Sequence, residues 1–218
     1  MMTGATPHSL GPTERTYLAI LDEARRHGMT MTRTKVAKLL YLTDLELNRR
    51  RGHHATELRW KWLHHGPFDN ALFHVEEVLA IAGVVSVKQT SNFFGAPEFR
   101  LQLEVPTEAG ILDEDTLGTV VQIVERFGSL TASELKDLTY RTEPMRRAQE
   151  SDAHDEELDL DVVLTQPRED LGSIVGRLRG TLQELPEQDT DPEAMDELAD
   201  DIGSLAKVRS RANRELLG

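Results

Sequence analysis

The chain has no cysteine. A disulfide framework and a thiolate zinc site are therefore both excluded. Aromatic residues are scarce, at 5% of 218 residues, with only two tryptophans. No run approaches the roughly 18 consecutive apolar residues that a membrane-spanning helix needs. The first residues, MMTGATPHSLGPTE, lack the basic start and apolar stretch of a secretory signal. Together these absences point to a cytoplasmic location. Positive charge is also short, since 25 Lys and Arg face 38 Asp and Glu for a net charge of −13. Affinity for phosphates rests on clustered Lys and Arg, so the chain as a whole repels nucleic acid.

The acidic excess is uneven. Residues 150–218 hold 19 acidic and 7 basic residues, a net −12, and leave residues 1–149 at −1. That contrast divides the chain into units with different tasks. Residues 1–12, with Gly4, Pro7, Gly11 and Pro12, read as a disordered lead-in, and residues 13–148 as a first domain. Residues 149–167 read as an acidic linker and residues 168–218 as an acidic helical extension.

Within the first domain, Tyr17, Leu18, Leu21 and Ala24 share a helix face that Gly28 ends. From about Thr32 to Arg50, Val36, Leu39, Leu40, Thr43 and Leu47 make one stripe, flanked by Leu42 and Leu45. A helix apolar over so much of its circumference is expected at the centre of the domain. Leu58, Trp60 and Trp62 then alternate with Glu57, Arg59 and Lys61, the period of an extended segment. His64-His-Gly-Pro67 breaks it, and a helix is expected from about Asp69 to Ala82. Val84–Gln89 and Glu98–Leu103 flank a turn containing Gly95 and read as a β-hairpin. A fourth helix spans about Asp113 to Phe127, and a fifth opens with Thr131-Ala-Ser-Glu134, a capping-box pattern.

Beyond the linker, Leu171, Val175, Leu178, Leu182 and Leu185 recur at spacings of four and three. After Asp191-Pro-Glu, a strong helix start, Met195, Leu198, Ile202 and Leu205 do the same. Both stripes read as heptad seams of an antiparallel helical hairpin. The expected fold class is thus α+β: a mainly helical domain with a small antiparallel β-hairpin sheet, followed by a C-terminal helical hairpin.

No catalytic, metal or cofactor site emerges. His53, His54, His64, His65 and His74 lie close in sequence, but adjacent histidines on an extended chain face opposite sides, and no HExxH spacing occurs. Nucleophile elbow, P-loop and dinucleotide fingerprint are all missing. A helix followed by a β-hairpin is also the layout of a winged-helix DNA binder. However, the segment from Asp69 to Ala82 contains no Lys or Arg and carries Asp69, Glu76 and Glu77. Arg33, Lys35, Lys38 and Arg49–Arg51 are the remaining candidates for a basic patch, or else the solvated ends of one helix.

Lys38-Leu39-Leu40-Tyr41-Leu42, followed about twenty residues later by Trp62-Leu-His-His-Gly66-Pro67, resembles the motif pair of the Panacea-domain, SocA-like antitoxins. Phe127–Thr139 is similar to that family's closing segment, and the resemblance covers roughly residues 13–148. Lys38, Leu39, Leu40, Tyr41, Trp62, Gly66 and Pro67 are accordingly taken as fold markers. The resemblance implies a bacterial antitoxin that neutralises a cognate protein toxin by direct binding. An adaptor that delivers a toxin to a protease, or a winged-helix-like regulator, is the alternative. The apolar stripe Leu171, Val175, Leu178, Leu182, Met195, Leu198, Ile202 and Leu205 is the candidate partner-binding element. A short helical hairpin is marginal alone, so it is expected to pack on the first domain, on a second copy to form a homodimer, or on the partner. An acidic exterior suits a basic surface built for nucleotides or RNA.

Overall fold

The structure is a computed structural model that describes residues 10–91, 95, 97–106 and 112–161. The apolar stripe from Leu171 to Leu205 lies outside the described residues, as does the helical hairpin expected there. The rest is a mixed fold of helices with small antiparallel sheets, the class expected.

Helix α1, Pro12–Arg26, begins at a proline whose missing N–H costs nothing in the first turn. It buries Tyr17, Leu18, Ile20, Leu21 and Ala24. A two-residue strand, β1 (Met31–Thr32), leads into helix α2, Arg33–Arg51. The Thr32 hydroxyl caps α2 by accepting from the Lys35 N–H at 3.3 Å. Gly52, in the left-handed conformation at φ 71°, ends it through a bond from its N–H to the Asn48 carbonyl. Residues 36–44 of α2 are each at most 1% exposed, and the helix packs against α1 and later elements on several sides. The central position read from its apolar circumference is the one it holds.

An extended run then carries Leu58 and Trp60 inward and Glu57 and Arg59 outward, as the alternation requires. Ladder pairing begins only at β2 (Lys61–Leu63), which meets β3 (Gly66–Phe68) in register Lys61 to Phe68 and Leu63 to Gly66. Sequence pattern alone reads Gly66-Pro67 as a bare chain reversal. Pro67 is nevertheless paired opposite Trp62, which a proline tolerates in so short a ribbon.

Helix α3, Ala71–Ile81, starts two residues after the expected Asp69. The Asp69 carboxylate accepts from the Ala71 N–H at 2.9 Å and from the Arg59 N–H at 2.7 Å, tying the extended run to the helix start. Strands β4 (Val85–Ser91) and β5 (Pro97–Leu103) form the expected hairpin. β1 adds to its outer side, so the sheet order is β1-β5-β4.

Helix α4, Glu114–Phe127, is capped by Asp113, and helix α5, Ala132–Tyr140, by the Thr131–Glu134 capping box. Both pack on α2. A further short helix, α6 (Glu143–Glu150), follows at once. It carries no signal beyond Glu143-Pro144, because eight residues are too short a window for a helical period to be read.

The first residues of the segment expected to be a linker pack closely. Asp155 N–H donates to the Trp62 carbonyl at 3.0 Å and Leu158 N–H to the Trp60 carbonyl at 2.7 Å. Lys61 and Glu157 form an antiparallel bridge, while Leu158 and Leu160 are buried. Among the described residues, no helix is long and apolar enough to cross a membrane.

Candidate functional site

Three polar side chains of α2 point into the packed interior and hold distant loops. The Lys38 ammonium donates to the Pro67 carbonyl at 2.8 Å, and burial lowers its pKa to about 7, with the nearby Lys136 adding to the effect. One turn on, the Tyr41 hydroxyl lies 2.7 Å from the Thr142 hydroxyl. Thr142 gives its own proton to the Thr139 carbonyl, so Tyr41 is the donor. Burial raises Tyr41, keeping it neutral and able to donate. Asp44 accepts from the N–H groups of Ala55 and Thr56, from the Thr56 hydroxyl, and from the Trp60 indole at 2.8 Å. Burial raises its pKa, and the bonds from Thr56 and Trp60 oppose that rise. The Trp60 ring meets the Tyr41 ring edge-on at 5.5 Å.

The motif residues thus meet in space. Leu39 and Leu40 are fully buried, and Lys38 sits against Gly66 and Pro67. Gly66 has φ 86°, and a Cβ there would lie 2.9 Å from Tyr140 Cε2 and 3.4 Å from Lys38 Nζ. Trp62 is only half-buried. Its indole donates to the Tyr140 hydroxyl at 3.3 Å, and its ring stacks on His154 at 3.5 Å. Nothing in this network leaves a reactive group facing an open cleft. It fixes the loops that surround α2.

The basic residues considered as a patch are otherwise engaged. Lys35 and Lys38 are buried, and Lys35 donates to the Gly128 carbonyl at 2.7 Å. Arg49 and Arg50 pair with Glu46, and Arg51 with Asp115. Arg33 pairs with Glu76 at 2.7 Å and lies over the rings of Phe73 and Phe99. His53, His54, His64 and His74 are exposed and His65 half-buried. None of the five belongs to a group of three metal-capable side chains among the described residues.

What α3 offers to solvent is partly apolar, with His74 and Glu77 beside three exposed hydrophobic side chains. Leu72, Val75 and Leu79 face inward, yet Phe73, Val78 and Ile81 are also exposed, Ile81 at 81%. Phe68 touches Phe73, with ring centroids 5.4 Å apart, and extends this surface toward β3. Clustered exposed apolar groups mark interaction surfaces. The segment that a winged-helix layout would place in a DNA groove therefore shows Phe73, His74, Glu77, Val78 and Ile81 to solvent. The apolar run Val78-Leu-Ala-Ile-Ala82 hides this feature in the sequence, because hydrophobic pattern alone reads it as core.

The family model for the antitoxin SocA-like Panacea domain matches residues 36–144, half of the chain, from the first turn of α2 to the first turn of α6. No curated protein and no solved structure matches the chain significantly.

Proposed function

The chain belongs to the SocA-like antitoxins of the Panacea domain, and from that premise we propose that it neutralises a protein toxin by direct, non-catalytic binding in the bacterial cytoplasm. The observation that carries the reading is the family match over the whole α2–α5 core. The exposed apolar face of α3 lies inside the matched region and gives a protein partner something to cover. The acidic stripe segment, with Leu178 and Leu198 at its seam positions, is the second contact surface. Its charge suits a toxin whose active site is basic because it handles nucleotides or RNA. Nucleic acid is not the partner on this reading, since the exposed face of α3 is apolar and acidic and would be repelled by phosphates.

The test is affinity purification of the tagged full-length chain from its native host, followed by native mass measurement of the eluate. One stoichiometric protein partner is expected. Ile81→Glu and Leu178→Glu, each on its own, locate the contact: the variant that loses the partner marks the face that binds. A partner that appears only when host proteolysis is blocked would instead favour the adaptor reading. Recovery of the chain alone, as monomer or homodimer, would count against both.

A further inference from the structure

We infer that the C-terminal end of α1 and the facing side of α4 form a binding site for a divalent transition-metal cation of the zinc class, built from Glu23, His27 and Glu125. One ligand atom from each of these three lies within 4.8 Å of the other two. Glu23 and His27 are an i, i+4 pair on one face of α1, the spacing that places two ligands side by side. Glu125 comes from α4, which packs along α1.

The geometry of the pair is close to that of a metal-bound one. Glu23 Oε1 and His27 Nε2 are 2.9 Å apart. Zinc bonds to nitrogen and oxygen of about 2.1 Å separate neighbouring ligand atoms by roughly 3.0 to 3.4 Å. A cation can therefore sit between the two atoms with little movement of either side chain, taking the Nε2 lone pair of the neutral imidazole whose single proton is then on Nδ1. Closure by Glu125 needs a shift of about 1.5 Å at most, which an exposed, flexible carboxylate can make.

Charge and access agree with this assignment. The other Glu23 oxygen, Oε2, faces Arg26 at 3.2 Å, but Arg26 is held more closely by Asp22 at 2.7 Å. Oε1 is thus the oxygen left for a cation. The carboxylate of Glu23 is 91% buried and fixed, whereas the His27 side chain is 39% exposed, so a hydrated ion can enter from solvent. The negative end of the α1 dipole lies at the same place. An imidazole nitrogen with two carboxylates selects zinc-like ions over magnesium, which prefers oxygen alone. Three protein ligands leave a fourth position for water or for a group on a partner. Glu125 is 98 residues from His27, which is why nothing in the sequence brings the three together.

The experiment is calorimetric titration of the chelator-stripped full-length chain with zinc chloride at pH 7.5, with thermal melts in parallel. The expected result is one site tighter than any other. His27→Ala and Glu125→Gln each weaken it at least tenfold and abolish the zinc-dependent rise in melting temperature. His64→Ala/His74→Ala leaves it unchanged. Both single replacements lie at solvent-exposed positions, so the variants remain foldable, and circular dichroism checks that they are. Zinc affinity that is absent from the parent chain, that is the same in His27→Ala, or that is lost in His64→Ala/His74→Ala would overturn the assignment.

Discussion

Gly66 and Lys38 meet at the same point, and each gives a quantity that can be measured. Gly66 holds φ 86° with Tyr140 pressed against the position a Cβ would take. Gly66→Ala should lower stability by about 2 kcal/mol or more in urea unfolding, from left-handed backbone strain and the clash together. Lys38 has a folded pKa near 7 because burial disfavours its charged form. Between that value and the ordinary lysine pKa the unfolded chain binds more protons than the folded one, so stability rises with pH across this window. From pH 7 to pH 9 the gain from Lys38 should be about 2 kcal/mol, and Lys38→Met should remove it. Leu39, Leu40 and Tyr41 could be read as core from their spacing. Lys38 and Lys35 could not, because a lysine on a helix normally reads as solvent-facing, and only the carbonyls of Pro67 and Gly128 explain their burial.

At the scale of elements, the helices with strong periodicity or caps were legible: α1, α2, α4, and α5 with its capping box. The expected hairpin became β4 and β5. Those that depend on tertiary pairing were not. β1 and β3 exist because β5 and β2 are beside them, and residues 153–161 are ordered because Trp60 and Trp62 offer free carbonyls. An acidic run without periodicity gives no hint of that strap. Its two leucines are buried, and full burial of a leucine contributes about 1.5 to 3 kcal/mol. A chain ending at residue 150 should therefore unfold with about 3 kcal/mol less stability than one ending at residue 161, measured by chemical denaturation. Equal stabilities would mean that the strap is not part of the folded unit. The outward face of α3 is an element-scale feature too. Ile81→Glu should leave stability within about 0.5 kcal/mol, because the side chain is 81% exposed, and any loss of partner binding then reports on contact alone.

For the whole molecule, the charge split between residues 1–149 and 150–218 was plain in the composition. The family was legible because Lys38-Leu-Leu-Tyr41 and Gly66-Pro67 meet in the fold, with Lys38 bonded across the gap between them. The identity of the partner was not, since the exposed face of α3 mixes hydrophobic side chains with His74 and Glu77 and offers no pattern that names a ligand. The central claim is most directly tested by growth. The protein partner recovered with the tagged chain is expressed alone in a bacterial host and then together with the full-length chain. The account predicts arrest by the partner, rescue by the chain at unchanged partner levels, and a complex of fixed stoichiometry. Persistent arrest, with the two proteins eluting separately, would contradict it.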